Sequence, residues 1–497
     1  MNTMHLQDLV KGKYGRKIAY TDVEEINENN VVKVVADCIG VFNWNKPIIK
    51  YLWDYKNGDQ PILYRKKTVR DDVCNFVVEN HAWEIVRFKN GQTNGEPIQC
   101  VSSRKEDWVN EAVDKLNRYL KAANKQVKDI MSGEWTSAVG TGFEAVQKVK
   151  PNSVVPFRIV APTPMNTFII YSRSTQEPML SVQEFKDENG EWYKHCFSDR
   201  YEYIIKNGSL VSFGLNEENV EVYSRLHAFA GIPIVEKPNN QDRISDIELV
   251  ITMLDAINNM QSNRMDAIEQ FVQSWVKFIN CEIDSKTFQE MKMQGALVVK
   301  SNNGAEHKAD VDIMTQELNQ TESQVAKDDL WNNALSISAI PNKQGNTGGD
   351  TQGAVELRNG WDFSKQSAKL KDPFIIEAEQ RLMIPILNLI RIEKGADECP
   401  LTLMDFDIQI NHSPTDNMQV KSQVYQILVA SGIHPLIAIK TCGLWGDSEK
   451  VYLMSKPYLD VLYKTIDEVV DDAKTQEDKA KKLVEEFNNQ KNKAITE

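Results

Sequence analysis

Two short sequence patterns contain residues that could bind a cofactor or a metal ion. The run Gly140-Thr141-Gly142-Phe143-Glu144-Ala145 fits the GxGxxA pattern of a dinucleotide-binding turn. However, no apolar strand leads into it and no acidic residue follows about twenty positions later, so a turn within a mixed domain is favoured. Asp405 and Asp407 could pair on a metal ion, but residues two apart in a strand simply share a face. Solvated or interface carboxylates are therefore the favoured interpretation.

The sequence also lacks an arrangement for nucleophilic catalysis. His195 and Cys196 are adjacent, and neighbours in a strand point to opposite faces, so the thiol and the imidazole are not expected to act together. No GxxxxGK[ST] run occurs, which excludes a P-loop motor, and no HExxH run occurs. The sequence therefore predicts no catalytic residue, no metal site and no cofactor.

One polar segment has side chains suited to weak contacts with nucleic acid. Residues 341–353 contain four glycines and no large apolar residue, which predicts a mobile loop. Its donors suit phosphate oxygens and have no base-reading geometry. A disordered linker is the alternative, because Gly, Asn and Gln are also typical of linkers. The candidate DNA-contacting residues are Lys343, Gln344, Asn346, Thr347, Gly348, Gly349, Thr351 and Gln352.

A second polar segment, residues 280–312, is rich in charged residues and contains two short apolar runs. The apolar runs predict strands at 281–283 and 296–299, around a small helix. An ordinary solvated connection is the alternative to a docking surface, since charged loops usually have no partner. The candidate partner-docking residues are Glu282, Asp284, Lys286, Glu290, Lys292, Glu306 and Lys308.

Two amphipathic helices are expected to position these segments. Apolar residues recur at steps of three and four over 242–279, which predicts a helix of about 50 Å. Ser245-Asp246-Ile247-Glu248 has the form of a capping box near its start. A second helical pattern covers 318–338. Charged residues such as Asp255 interrupt the first helix, which excludes a membrane span.

The segments before residue 231 predict a mixed domain. Short helices with breaks are expected over 22–57 and a hairpin over 85–98, followed by an amphipathic helix that carries Val109 and Leu116. Residues 65–70 form a basic patch, favoured as a solvated face over a DNA contact, and lead into a helix expected around Val73. A β meander is predicted with strands at 154–159, 168–171, 179–185, 192–197 and 201–205.

The segments after residue 351 return to helical patterns. Residues 352–393 predict a helix that Gly360, Pro373 and Pro385 bend or break. A strand is expected at 403–410, followed by short helices over 418–430, 435–442 and 447–454. The residues from 465 onward are dense in Glu, Asp and Lys and predict a helical end.

Bulk properties bound the function. The chain has 497 residues, a formal net charge of −13 and a pI near 5.3. This balance argues against tight, sequence-independent binding of duplex DNA, which needs clustered Lys and Arg, but it suits a channel through which DNA slides. The seven cysteines never occur at CxxC spacing, so neither a disulfide framework nor a zinc ribbon is predicted. No secretory signal is present, which predicts a cytoplasmic protein.

The order of segments resembles the portal proteins of tailed double-stranded DNA bacteriophages. The resemblance begins at Gly231-Ile232-Pro233-Ile234-Val235 and Pro238-Asn239-Asn240, continues through the capping box and the long helix, and ends with the insert, second helix, glycine-rich loop and kinked helix. It implies an α+β, mainly helical portal fold. The implied regions are a wing at 1–230, a stem helix at 231–279, a clip at 280–312, a second stem helix at 313–338, a tunnel loop at 339–353, a kinked wing helix at 354–400, and a wing end with helical crown at 401–497.

The resemblance also implies a function without enzymatic activity. Portal proteins form a ring, here expected to contain about twelve copies, at one capsid vertex. The ring is the channel for DNA packaging and ejection, and it passes double-stranded DNA without sequence specificity. Expected partners are the terminase large subunit, the major capsid and scaffold proteins, and a head-completion or tail adaptor, with no membrane. The expected location is the virion, and the host cytoplasm during assembly.

Two other classes of function stay open at this point. An enzyme of DNA metabolism, such as a nuclease or integrase, could bring carboxylates together only in the fold. A monomeric coiled-coil scaffold would suit the two long helices but would leave the β-rich half unexplained. The missing nucleotide motif and the helix pair favour the portal.

Overall fold

The computed structural model describes most of the chain, and the chain divides into two units, Met1–Ser413 and Pro414–Glu497. The described residues are 6, 13–66, 73–104, 106–150, 153–217, 219–272, 275–279, 286, 289, 310–314, 320–342, 360–412, 418–443 and 448–462.

Helices and strands alternate in the first unit, which matches the predicted α+β class. Its helices are α1 Val31–Lys56, α2 His81–Asn94, α3 Asp107–Ala122, α4 Lys125–Val139, α5 Ile251–Val272, α6 Gln320–Ile337, α7 Trp361–Lys369 and α8 Asp372–Lys394. Its strands are β1 Ala19–Thr21, β2 Gln99–Ser102, β3 Thr141–Lys148, β4 Phe157–Val160, β5 Thr167–Ser172, β6 Pro178–Lys186, β7 Trp192–Phe197, β8 Tyr201–Lys206, β9 Ser209–Leu210, β10 Gly214–Leu215, β11 Glu221–Val222, β12 Arg225–Leu226, β13 Ile234–Pro238, β14 Trp275–Ile279, β15 Asp310–Met314 and β16 Phe406–Gln409.

Four of the five strands predicted for the β meander are confirmed, and the fifth, expected at 154–159, is β4, which lies in a different sheet. Strands β5, β6, β7 and β8 pair as antiparallel neighbours in a seven-stranded sheet, with β1 parallel to β5 at one edge. One face of this sheet packs against α1 through Phe42 and Phe168, whose rings stack at 4.6 Å. His195 and Cys196 do point to opposite faces, since Cys196 is fully buried and His195 hydrogen-bonds Glu202 at 2.8 Å.

The amino-terminal helices correct two predictions. Residues 22–57, expected as short helices with breaks, contain the single helix α1, which continues through Pro47 because its apolar face is buried along its length. Residues 85–98, expected as a hairpin around Asn90-Gly91, lie mostly in α2. Its residues Ala82, Ile85 and Val86 are buried at helical spacing, and this packing outweighs the turn preference of the Asn-Gly pairs.

A second, three-stranded sheet in the order β13-β3-β4 carries α4 and α8 on one face. The glycines of the GxGxxA run serve this packing. Gly140 ends α4 at a positive φ of 89°, and a Cβ on Gly142 would lie 2.3 Å from the carbonyl oxygen of Ser132. The run is therefore a close helix-to-strand crossing, as expected of a turn in a mixed domain.

The long helix predicted over 242–279 is wrong at both ends. Residues 246–250 form turns, α5 spans 22 residues and so about 33 Å, and residues 275–279 form β14. Apolar residues keep helical spacing into this stretch, but β14 pairs in antiparallel register with β15, from Trp275 opposite Met314 to Ile279 opposite Asp310. The second helix was expected from residue 313, but 310–314 are strand and α6 begins at Gln320.

The chain after residue 359 follows the prediction with one change. The single kinked helix expected there is two helices, α7 and α8, with Pro373 in the first turn of α8 and Pro385 inside it. The strand expected at 403–410 is the shorter β16, which pairs with β2. Asp405 precedes this strand, is buried and contacts the exposed residues Thr402 and Arg104, while Asp407 is exposed. The two carboxylates do not form a pair.

The second unit contains three described helices, α9 Met418–Ala430, α10 Pro435–Cys442 and α11 Ser448–Leu462. The first two match the prediction, and the third extends beyond the expected end at residue 454. Within the described ranges of both units, no helix has the length and apolar character that a bilayer crossing requires.

Candidate functional site

The chain forms an antiparallel hairpin from helix α5 and strand β14 to strand β15 and helix α6. The chain leaves along α5 and β14 and returns along β15 and α6, and the ladder between the strands runs from Trp275–Met314 to Ile279–Asp310. Arg264 of α5 donates to Gln324 of α6 at 2.8 Å. We call these four elements the stem pair. It is the structure that would position the segments predicted to contact DNA and partners.

The stem pair is rooted in an apolar core of the first unit. The buried residues at its base come from both of its helices and their flanks: Ile247, Val250, Ile251, Leu254, Ile257, Ala334, Leu335 and Ile340. They pack against α1, α2 and the end of α4, where Trp53 and Trp135 stack with ring centroids 3.5 Å apart. The aromatic residues of α1 thus belong to the core that holds the stem pair.

The predicted capping box at Ser245 to Glu248 is confirmed and is also tied to the amino-terminal segment. The Ser245 hydroxyl accepts the backbone N–H of Glu248 at 3.2 Å, and the Glu248 carboxylate accepts the N–H of Ser245 at 3.1 Å. The same carboxylate pairs with Arg16 and accepts the N–H of Gly15 at 3.0 Å. All of these groups are buried, so the start of the stem pair is held by charge-assisted hydrogen bonds.

Residues 73–80 form an extended strap along α5, where the sequence predicted a helix around Val73. Backbone N–H groups of Asn75, Val77 and Glu79 donate to side chains of α5 at 2.6, 2.9 and 2.8 Å. The acceptors are Asp266, Ser262 and Asn258, respectively. Two extended residues advance about 6.6 Å and four helical residues about 6.0 Å, so this register keeps every second amide opposite an acceptor.

Glu79 links the strap to both helices of the stem pair. Its carboxylate accepts from Lys327 of α6 at 2.6 Å and from Gln261 of α5. Burial by itself raises the pKa of Glu79, but the hydrogen bonds from Lys327 and Gln261 outweigh it and hold the pKa below its ordinary value. His81 also contacts this carboxylate at 3.1 Å, and its ring stacks on Trp331.

The basic patch at residues 65–70 is only partly described. Arg65 pairs with Asp266 and donates to Asn263 of α5 at 2.9 Å, so it holds the stem pair and does not form a solvated face. Lys66 is exposed. Residues 67–70 lie outside the described part of the chain.

Five buried charges form a second anchor, where α4, β3, β13 and α8 meet. Lys125 contacts Asp129 and Glu379 at 2.5 and 2.9 Å. Lys237 contacts Asp129, Glu144 and Glu379 at 2.8, 2.6 and 2.6 Å. We call this group the charge cluster. The three carboxylates offer oxygens within 4.8 Å of one another, as a metal site would. Two ammonium groups already bind these oxygens, so the group acts as a network of salt bridges.

The charge cluster has three carboxylates and two ammonium groups, which leaves one surplus negative charge. Burial raises the pKa of Glu144 to about 7, despite the opposing effect of both lysines. Burial alone would also raise the pKa of Asp129, but Lys125 and Lys237 outweigh it and hold this pKa far below its ordinary value. The cluster therefore retains a proton on Glu144 below neutral pH while Asp129 stays ionised.

A sequence model of the family described as phage portal protein, SPP1 Gp6-like, matches residues 37–437. The chain belongs to this family of phage portal proteins. As a portal protein it is a structural component of the phage virion, at the head–tail connector, where portal proteins form an oligomeric passage for packaging and ejection of the genome. The family does not support the alternative of a nuclease or integrase.

Two solved structures are distantly similar to this portal protein. One is a chain from the neck of an empty gene transfer agent particle computed with C6 symmetry, with 11% identity, 75% of this chain and 92% of that chain covered, and a TM-score of 0.43. The other is from the virion of a native gene transfer agent particle, with 11% identity, 82% and 93% covered, and a TM-score of 0.42. At these scores neither adds to the family assignment. No curated protein matches the sequence.

Most residues predicted to contact DNA or partners lie outside the described part of this portal protein. This applies to all the candidate residues of the 341–353 segment, and to every candidate of the 280–312 segment except Lys286. Lys286 is an exposed helical residue. In the described structure both flanks of the 280–312 segment, at Ile279 and Asp310, and the start of the 341–353 segment, at Asn342, adjoin the stem pair.

Sequence reasoning missed the charge cluster and the strap. The only local signal for the cluster was Lys237, a lysine in strand β13, and the members of the cluster are up to 254 positions apart, as between Lys125 and Glu379. The strap had a signal in Asn258, Ser262 and Asp266, which are polar residues at a spacing of four on one face of α5.

Proposed function

We propose that this portal protein assembles as a closed ring of about twelve copies at one vertex of the capsid. The stem pair carries this proposal. Its base is rooted in the subunit core, yet Leu249, in the turns before α5, and Met265, Val325 and Ile337, on its helices, are 45 to 63% exposed. The described part of the same chain does not cover them. Neighbouring copies in a ring would cover such apolar side chains, and heterologous contacts that close make rings.

Mass measurement of the full-length protein tests the ring. The protein should be expressed together with the other head genes of its phage, because some assemblies form only with scaffold. Native mass spectrometry is expected to give one species of about twelve subunits. Monomer or dimer alone at micromolar concentration would contradict the proposal.

We further propose that the tunnel loop, residues 339–353, lines the narrowest part of the channel. Its eight polar and glycine residues, Lys343 to Gln352 as named above, would contact the DNA backbone. Lys343 is the one cation of this stretch, so contacts at each subunit would be weak and independent of sequence. The net charge of −13 favours a channel surface to which phosphate does not adhere.

The clip, residues 280–312, is proposed as the docking surface for the terminase large subunit and later for the head-completion or tail adaptor. Strands β14 and β15 flank this segment in the chain, which supports a position at the end of the stem pair away from the core. Its charged candidates, including the exposed Lys286, would make these contacts.

Charge reversal at Glu282, Asp284 and Glu290 tests the clip. Pull-down of the motor protein is expected to fall at least tenfold while the ring keeps its mass, because docking depends on complementary charge at this surface. Reversal of Glu188, an exposed carboxylate of the β6–β7 turn, is the matched control. Unchanged motor binding in the triple variant would show that the clip is a solvated connection.

Residues of the wing and crown, 1–230, 354–400 and 401–497, would contact the major capsid and scaffold proteins. No catalytic group is needed for any of these roles, and we propose that the protein has no enzymatic activity and uses no cofactor.

A further inference from the structure

A groove of about 690 Å³ lies at the open edge of the three-stranded sheet. Strand β13 is the edge strand of that sheet, and α8 and the seven-stranded sheet form the two walls. Tyr20, Tyr171, Phe374 and Ile384 give the groove an apolar lining. Among the described residues, no element covers its mouth. A groove of this size accommodates several side chains of a partner.

The groove is acidic. Its lining contains five carboxylates, Glu177, Asp199, Glu236, Asp242 and Glu377, against two arginines, Arg243 and Arg381. Arg243 is held by Glu236 at 3.1 Å, and Arg381 bridges Glu177 and Glu377 at 2.8 and 2.7 Å.

Two carboxylates of the groove remain for a partner. Asp199 and Asp242 are exposed, and neither forms an ion pair within the described chain. A partner for this groove should therefore present positive charge beside apolar side chains.

The surface of α3 and α4 presents positive charge beside apolar side chains, as such a partner should. Between residues 115 and 133 the exposed charges are all basic, because the one acidic residue of that stretch, Asp129, is buried in the charge cluster. Arg118 and Lys121 are exposed and Lys128 is half-buried. Beside them Val127, Ile130 and Met131 are 51, 42 and 44% exposed. We call this surface the basic ridge.

The groove and the basic ridge face away from each other. On α8, the groove residues Glu377, Arg381 and Ile384 lie roughly 140 to 200° around the helix from Glu379, at about 100° per residue. On α4, the ridge residues Val127, Ile130 and Met131 lie roughly 120 to 160° around the helix from Lys125, and Lys128 lies at its border, roughly 60° away. Since Lys125 bonds Glu379 at 2.9 Å, the inner faces of the two helices meet at the charge cluster.

We propose that the basic ridge of one copy docks into the acidic groove of the next copy in the ring. Two different surfaces on opposite sides of one subunit form a heterologous contact, which is the contact type that closes into a cyclic ring. Arg118, Lys121 and Lys128 would face Asp199 and Asp242, and Val127, Ile130 and Met131 would cover the apolar lining. This inference rests on the ring assembly proposed above, and it assigns the surfaces that meet.

A charge exchange tests the contact in the full-length protein. R118E/K121E and, separately, D199K/D242K should each raise the concentration needed for half-maximal ring assembly at least tenfold, measured by mass photometry. A chain that carries all four substitutions restores opposite charges at every contact and should return to within threefold of the wild-type value. The matched controls are K33E on α1 and E188K, both at exposed positions, and they should assemble as the wild type does.

A cross-link gives a second measurement. In rings of M131C/I384C, oxidation should link adjacent copies into a ladder of covalent multimers, which M131C alone should not give. Circular dichroism confirms that each variant is folded.

If the wild type forms no ring, the proposed function fails. If it forms rings that tolerate both reversals and give no ladder, or if the four-substitution chain is not rescued, the ridge-to-groove contact is wrong and the ring uses other surfaces. Rings that stay intact but lose another virion protein would also overturn this contact and would assign the groove to that protein.

Discussion

Lys125 and Lys237 place two positive charges where water does not reach, beside three carboxylates. An unpaired ion in such a place costs several kcal/mol, and removing one partner of a buried pair typically costs about 3 to 5 kcal/mol. The cluster joins helix α4, strands β3 and β13 and helix α8. Because β13 leads directly to the capping box at Ser245, the cluster fixes the position from which the stem pair starts.

The surplus charge of the cluster makes stability depend on pH. Burial raises the pKa of Glu144 from its ordinary value of 4.5 to about 7. The corresponding stabilisation is complete below about pH 4.5 and is lost as pH rises through about 7. From pH 6 to pH 8 the wild type should lose about 1 kcal/mol of unfolding free energy from this carboxyl.

The E144Q variant removes this titration. Its free energy of unfolding, measured with urea, should therefore change less between pH 6 and pH 8 than that of the wild type. E188Q, at an exposed carboxylate, is the matched control and should follow the wild type. If E144Q and the wild type lose stability equally between pH 6 and pH 8, the extra proton does not reside on Glu144.

At the residue scale, what could be predicted depended on sequence separation. The capping box was predictable because Ser245 and Glu248 are three positions apart and satisfy each other's backbone groups. The charge cluster was not, because Lys125 and Glu379 are 254 positions apart and meet only when α4 and α8 pack on the same sheet. The same packing explains Gly142, whose spacing from Gly140 fits a nucleotide-binding pattern although a turn within a mixed domain was favoured.

At the scale of elements, the strap shows how an isolated extended segment can be held without a sheet. Its alternate amides find acceptors on α5, and its intervening residues point away from that helix. A buried amide left without an acceptor would cost about 1 to 3 kcal/mol. The polar face of α5 thus replaces a neighbouring strand.

Hydrogen exchange read residue by residue should show this alternation. The amides of Asn75, Val77 and Glu79 are expected to exchange more slowly than those of Cys74, Phe76 and Val78, because only the first set donates to α5. S262A removes the acceptor of Val77 and should speed its exchange about three- to tenfold, while Glu79 stays protected.

S209A, on the short strand β9, leaves the strap untouched; it is the matched control and should change none of these rates. Uniform exchange along residues 74–79 in the wild type would mean that the strap is not held by α5 in solution.

Long-range pairing decided the mispredicted end of the first stem helix. Residues 275–279 continue the apolar spacing of α5, yet they pair with 310–314, and no helical period reveals that partner. In the meander the strands are joined by short turns, so local alternation and turn residues were enough to place β6, β7 and β8.

At the scale of the whole molecule, the described structure and the family assignment account for different parts of the function. The stem pair, strap and charge cluster form a rigid base in the first unit. The segments proposed to meet DNA and the motor were recognised from segment order and composition, because a glycine-rich or charged stretch carries no buried pattern that would fix its conformation. The net negative charge of the chain also acts at the scale of the whole molecule, because it determines how strongly the whole channel repels the phosphates of DNA.

The tunnel loop gives the prediction that separates a moving contact from a passive linker. Gly348 and Gly349 allow positive φ, whereas proline fixes φ near −65° and removes a backbone donor. In the double variant G348P/G349P the ring and its docking to the motor should be unchanged, since the stem pair and clip are untouched. The DNA retained per head should fall at least severalfold, because the loop can no longer follow the passing backbone, and quantitative PCR on purified heads measures it.

The variant G348A/G349A, which keeps both backbone N–H donors, is the matched control and should retain more DNA than the proline variant. K343A tests the charge separately: it removes the one cation of the loop, so it should weaken retention most at low salt, where phosphate contacts are least screened, and least at high salt. Heads of the proline variant that hold full-length genomes at the wild-type level would show that the loop is a linker. The channel would then have to grip DNA through the stem helices, whose polar face is already engaged by the strap.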